Sequence, residues 1–162
     1  MAGRIAERLA ELGIELPEPA VPNANYVPFV GWGGLVVVSG QVPMRDGKMA
    51  MTGKLGTGKL GSGGLSVEQG QAAARMCFVN LLAQLRVACG GDLDRVQQVV
   101  RLGGFIAAPP DFTAHAVVMN GASDLAVEVF GQAGRHARST IGVPSLPSDA
   151  PVEVEGMFAV SP

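Results

Sequence analysis

The sequence predicts an α+β domain of two layers, a mixed sheet with two helices packed on one face. Three observations carry that expectation. A β-branched run bounded by glycines, Leu35-Val-Val-Val-Ser-Gly-Gln41, reads as a strand. A single long apolar stripe follows Ser66 and reads as a helix that packs flat on a sheet. The order of elements is hairpin, long helix, strand, helix, strand, strand, with no internal repeat.

Each element has a local reason. Ile5, Leu9 and Leu12 recur at helical spacing over residues 3–12. Pro17, Pro19 and Pro22 end that helix and make an extended arm, so residues 1–23 form an N-terminal helix and Pro-rich arm within one domain spanning 1–162. Tyr26 to Val30 reads as a strand, turned by Gly31-Trp-Gly-Gly34 into the Leu35 run. Residues 44–64 hold seven glycines and read as a mobile loop that covers a site. Its Gly53-Lys54 and Gly58-Lys59 pairs are each followed by Leu, so the phosphate-loop spacing is missing.

Ser66-Val-Glu-Gln69 is a capping box. Ala74, Cys77, Phe78, Leu81, Leu82, Leu85 and Ala88 then share one face, and Gly90-Gly91 closes the helix. Val96 to Ala108 reads as a strand with a bulge or a close approach at Gly103-Gly104. Asp111 is expected to cap a second helical region, Asn120-Gly121 to break or bend it, and Gly131 and Gly134 to end it. Arg138–Val143 and Val152–Val160 are the last strands, joined by a Pro144–Pro147 turn.

The composition narrows the function. Of the 162 residues 48% are hydrophobic and 16% charged, which predicts apolar surface buried between subunits. The net charge of −2, with no basic block and few aromatics, argues against nucleic acid as the main partner. No run approaches the ~20 apolar residues of a membrane span, and the charged start has no apolar leader core, so the cytoplasm is expected. Cys77 and Cys89 stand about 18 Å apart on one helix, too far for a disulfide. Two histidines without clustered Cys or Asp make no metal site.

Strand alternation sets the candidate chemistry. Arg138, Thr140 and Gly142 share one face of their strand; Glu153 and Glu155 share a face of the next. A short turn suggests that the two strands pair, which brings an arginine and a carboxylate to one rim. The same pattern equally describes a surface ion pair across strands. Ser39, at a strand end, has neither the G-x-S-x-G elbow nor a spaced His partner. Asn120 before Gly121 has the chemistry of a turn.

Three segments together resemble the Rid/YjgF family, also called L-PSP endoribonucleases. They are Val36-Val-Val-Ser-Gly-Gln-Val-Pro43, Arg138-Ser-Thr-Ile-Gly-Val-Pro-Ser-Leu-Pro147 and Val152-Glu-Val-Glu155, and the likeness covers about residues 24–160. The resemblance implies a chorismate-mutase-like fold and a homotrimer with clefts between subunits. It implies hydrolysis of enamine or imine forms of 2-amino acids to 2-keto acids and ammonia, with no cofactor and no metal. By position, Arg138 would bind the substrate carboxylate and Glu153 would orient or activate water. Tyr26, Ser39, Asn120 and Thr140 would line the cleft, Thr140 standing where the archetypal deaminases carry Cys. The alternatives are a non-catalytic protein that binds a small carboxylate in the same cleft, and an endoribonuclease.

Overall fold

The computed structural model describes residues 3–22, 24–56 and 64–162. The expectations made for residues 57–63, including the Gly58-Lys59 pair and a third of the 44–64 loop, lie outside them. Helix α2 (Val67–Ala88) follows the sequence pattern closely. Ser66 Oγ accepts the Gln69 amide at 3.2 Å and Gln69 Oε1 accepts the Ser66 amide at 2.9 Å, completing the capping box. Its stripe of Ala74, Cys77, Phe78, Leu81, Leu82 and Leu85 is fully buried. Both cysteines are buried and unpaired.

Two polar residues are buried with that stripe. Asn80 donates its side-chain amide to the Val42 carbonyl at 2.9 Å and the Met44 carbonyl at 3.1 Å. Gln84 donates to the Ala20 carbonyl at 2.7 Å. A buried amide needs partners; here the partners are carbonyls of the Pro-rich arm and of the segment leading from β2 into the small hairpin, so α2 pins both.

The main sheet comprises β1 (Phe29–Trp32), β2 (Leu35–Gln41), β5 (Val96–Ala107), β6 (Ala137–Val143) and β7 (Val152–Val160), in the order β1-β2-β7-β5-β6. Strands β3 (Met44–Arg45) and β4 (Lys48–Met49) form a separate small hairpin. The first strand begins at Phe29 rather than Tyr26, because Ala24 to Tyr26 is a bend. Trp32 belongs to the strand, and the reversal is confined to Gly33 and Gly34, both at positive φ.

The inferred pairing of the last two strands is not found. β6 pairs parallel with β5, and β7 lies antiparallel between β5 and β2. The physical reason is the crossover: β5, helix α3 (His115–Phe130) and β6 form a β-α-β unit, which sets β6 parallel beside β5. The chain must then step over β5 to add β7.

Val36, Val38, Val99, Leu102, Ile106, Val152, Val154 and Phe158 line the helix-covered face. The opposite face carries no helix among the described residues. Val30, Trp32, Leu35, Val37 and Ile141 are exposed there, Trp32 at 83%. Gly103 and Gly104 mark a close approach, not a bulge. A Cβ on Gly103 would meet the Glu155 side chain, and one on Gly104 the Met119 side chain. The register shifts fall earlier, at Val96/Gln98 and Val99/Arg101.

Two expectations about α3 are corrected. Asp111 does not cap it; the helix starts at His115 after Ala114, with no side-chain cap. Asn120-Gly121 does not interrupt it. A Cβ at Gly121 would collide with the Gln71 carbonyl of α2, so this glycine serves the close packing of two helices. Gly131, at φ +62°, ends α3 as expected, and a 3-10 turn runs to Gly134. Helix α1 (Arg4–Glu11) has no local cap either. Asp94 accepts the backbone N–H groups of Arg4 and Ile5, each at 2.7 Å, and Ile5 and Leu9 enter the core. No described helix is long and apolar enough to cross a membrane.

Candidate active site

Arg138 is the centre of a polar cluster between β6 and α3. It pairs with Leu102 across the sheet, and Leu102 faces the helices, so the Arg138 side chain rises toward α3. Its Nη1 donates to Asn120 Oδ1 at 2.9 Å and to Ser123 Oγ at 3.1 Å. Its Nη2 donates to the Ala116 carbonyl at 3.2 Å. Asn120 and Ser123 are three apart on one helix face, which is why both reach the same guanidinium. A guanidinium has five N–H donors. The cluster takes two at Nη1 and one at Nη2, leaving Nε–H and a second Nη2–H without a partner among the described residues. Those two nitrogens form one edge of the plane, the geometry that grips a carboxylate through two parallel bonds.

His136 completes the cluster from the same side of the chain. Its Nε2 lies 2.9 Å from Ser123 Oγ and its Nδ1 lies 2.6 Å from the Gly134 carbonyl oxygen. Thr140, next on the Arg138 face, is half-buried, and its Oγ1 is itself buried and has no hydrogen-bond partner among the described residues. At the far end of that face His115 lies over Gly142, where a Cβ would strike its ring, and it meets Phe112 edge to face at 5.1 Å between ring centroids. The face of β6 under α3 is thus lined by polar groups along its length.

Glu153 occupies different ground. It pairs with Phe105, which pairs with Ile141, on the face without helices. The rim shared with Arg138 that strand parity suggested is therefore absent within one chain: the two side chains leave opposite faces of the sheet. The Glu153 carboxyl lies against Gly40, where a Cβ would displace it. It has no hydrogen-bond or ion-pair partner among the described residues. Burial, and then the neighbouring Glu155 charge, push its carboxyl above the ordinary range. Glu155 itself faces Arg101 at 3.4 Å.

Ser39 precedes Gly40 at the end of β2, and Tyr26 shares a cavity with Gly40. Ser39 Oγ donates to the Val27 carbonyl at 2.7 Å, which ties the bend before β1 to the end of β2. Gly40 also lines an open cavity of about 460 Å³ with Tyr26, Pro28, Gln41, Pro147 and Ser148. The six candidate residues thus fall into two groups: Arg138, Asn120 and Thr140 on β6 and α3, and Glu153, Ser39 and Tyr26 around the end of β2. Sequence reasoning missed Ser123 and His136. Helical spacing from Asn120 and strand parity from Arg138 were the available signals. Among the described residues no group of three His, Cys, Asp or Glu side chains is placed to hold a metal ion.

Comparison with known proteins gives these groups a setting. The family model described as "YjgF/chorismate_mutase-like, putative endoribonuclease" matches residues 6–159. Protein TCP17 from Trypanosoma cruzi is 47% identical over 161 residues, spanning 99% of this chain and 96% of that protein. A crystal structure of a protein of unknown function from Agrobacterium tumefaciens is similar, with 43% identity, a TM-score of 0.86, and coverage of 97% of this chain and 92% of that one. A Shewanella oneidensis structure described as a "putative endoribonuclease" has 35% identity and a TM-score of 0.89, covering 98% of this chain and 100% of that one. The E. coli YjgF gene product shares the fold at 23% identity, with a TM-score of 0.61, 90% of this chain and 94% of that one covered. With its mixed sheet and helices arranged as in the chorismate-mutase-like fold, the chain belongs to the Rid/YjgF family.

Proposed function

We propose that the protein hydrolyses imine and enamine forms of 2-amino acids to 2-keto acids and ammonia, in clefts where subunits of a cytoplasmic homotrimer meet. The observation that carries this reading is the Arg138 guanidinium, clamped to α3 on one side with a two-donor edge left over. A substrate carboxylate fits that edge. Thr140 lies next to it on the same face, its buried hydroxyl left without a partner among the described residues.

Glu153 leaves the other face of the sheet, so a neighbouring subunit supplies it. The helix-free face with Val30, Trp32, Leu35, Val37 and Ile141 is apolar enough to drive that assembly. In the reaction, water adds to C2 of the imine while Glu153 takes its proton. Glu153 returns that proton to the nitrogen, giving the neutral aminol; the aminol hydroxyl proton then passes through Glu153 to nitrogen as the C–N bond breaks, which releases ammonia and leaves a 2-keto acid. A carboxyl held above its ordinary pKa is better matched to both proton transfers than a fully solvated one. An already electrophilic carbon asks little more than placement of one water.

The test is imine hydrolysis with the substrate generated in place by an amino-acid oxidase. The reading predicts faster keto-acid release than in buffer. Tight pyruvate binding without acceleration would instead identify a non-catalytic carboxylate-binding protein. The net charge of −2 gives RNA no cationic track, which disfavours a nuclease.

A further inference from the structure

We propose that Ser123 and His136 are positioning residues that fix Arg138 for carboxylate capture, through a directional chain of hydrogen bonds that starts at the Gly134 carbonyl. This rests on the reading of Arg138 as the carboxylate site, and adds what orients it.

The direction of each bond follows from chemistry. The Gly134 carbonyl can only accept, so His136 Nδ1 must carry a proton to make the 2.6 Å contact. In the neutral ring Nε2 is then a bare acceptor. The Ser123 hydroxyl, 2.9 Å away, must point its hydrogen there. That turns the oxygen lone pairs toward Arg138, which donates Nη1–H to them at 3.1 Å. Asn120 Oδ1 takes the other Nη1–H at 2.9 Å. With both Nη1 protons held and one Nη2 proton on the Ala116 carbonyl, the guanidinium plane has one rotation open to it, with the Nε and Nη2 edge outward.

The anchor of the chain is rigid. Gly134 is buried, and a Cβ there would collide with the Ala126 carbonyl of α3. The 3-10 turn from Gly131 to Gly134 is thus seated directly on the helix that carries Asn120 and Ser123. Turn, helix and strand β6 form one frame, and His136 is the strut between turn and helix. A structural histidine would need only one of these bonds; the use of both nitrogens sets the tautomer and the polarity of the serine.

Two measurements on the full-length protein test this. The first is the nitrogen-15 spectrum of the ligand-free imidazoles at neutral pH. His136 should show a protonated Nδ1 and a hydrogen-bonded, unprotonated Nε2, and Ser123→Ala should move the Nε2 resonance toward that of a free acceptor. An Nε2-protonated ring overturns the proposal. The second is calorimetric titration with pyruvate. Ser123→Ala should weaken binding about three- to tenfold, the usual effect of one lost hydrogen bond. Ser123→Thr, which keeps the hydroxyl, should recover it, and His136→Gln should outperform His136→Ala. If Ser123→Ala binds as wild type while Arg138→Ala is weakened, the positioning role is wrong and the carboxylate site stands. If Arg138→Ala also binds as wild type, or wild type binds no pyruvate, the carboxylate site itself fails.

Discussion

Arg138 Nη1 lies 2.9 Å from Asn120 Oδ1, so the edge strand β6 is tied by a charge-assisted bond to the middle of the helix above it. The bond explains why Asn120 belongs to a continuous helix rather than to a turn. It is one of three bonds that orient the guanidinium and together leave its other edge for a ligand.

Removing that guanidinium should cost affinity without unfolding the chain. Arg138→Ala is expected to weaken pyruvate or 2-ketobutyrate binding by about 2–4 kcal/mol, the range for deleting one partner of a desolvated charge pair. Arg138→Lys should recover only part, because an ammonium lacks the planar fork. Calorimetry on each variant, with circular dichroism as a folding control, reads this out.

Glu153 should trade stability for activity. Its folded-state pKa is raised by burial and by Glu155. The contribution of this group to stability is therefore greatest below the unfolded pKa and is lost as pH rises through the folded one. Glu153→Gln removes the charge, so it should melt higher than wild type at pH 7, with the difference vanishing in acid. Turnover should fall while pyruvate affinity is kept. Thermal melts across pH check the sign, and an equal or lower melting temperature at pH 7 would refute it.

Gly121 should tolerate no side chain. Gly121→Ala drives a methyl into the Gln71 carbonyl of α2. The expected loss is about 1–3 kcal/mol, typical of overpacking, although alanine is the better helix former. Denaturant unfolding would expose the error if the variant were more stable.

The helix-free face should hold the oligomer together. Val37→Lys places a charge at its centre, opposite Met157 and away from the core. Light scattering should show wild type as a trimer and this variant shifted toward monomer. A wild-type monomer at micromolar concentration would remove the basis for a shared cleft.

The fold was legible where its causes are local. The Ser66-Gln69 box and the Ala74-to-Leu85 stripe define α2 because capping and period lie within the helix itself. The partner of β6 was not legible, because short connections suggest hairpins and only the crossover through α3 places β5 between β6 and β7. That one misplaced strand also misassigned the relation of Arg138 to Glu153. The residues themselves were found by motif; their faces depended on register. Gly121 read as a breaker because nothing in sequence reveals that another helix needs its missing side chain. Ser123 and His136 carried no motif and became visible only once α3 lay over β6.

The most direct test of a site shared between subunits is complementation. Arg138→Ala and Glu153→Gln should each be close to inactive in imine hydrolysis. Co-expressed in equal amounts and assembled at random, they should regain about a quarter of wild-type activity, since in a cyclic trimer that fraction of clefts pairs an intact Arg138 with an intact Glu153 from the neighbour. Activity no higher than that of the two separate variants would contradict the account.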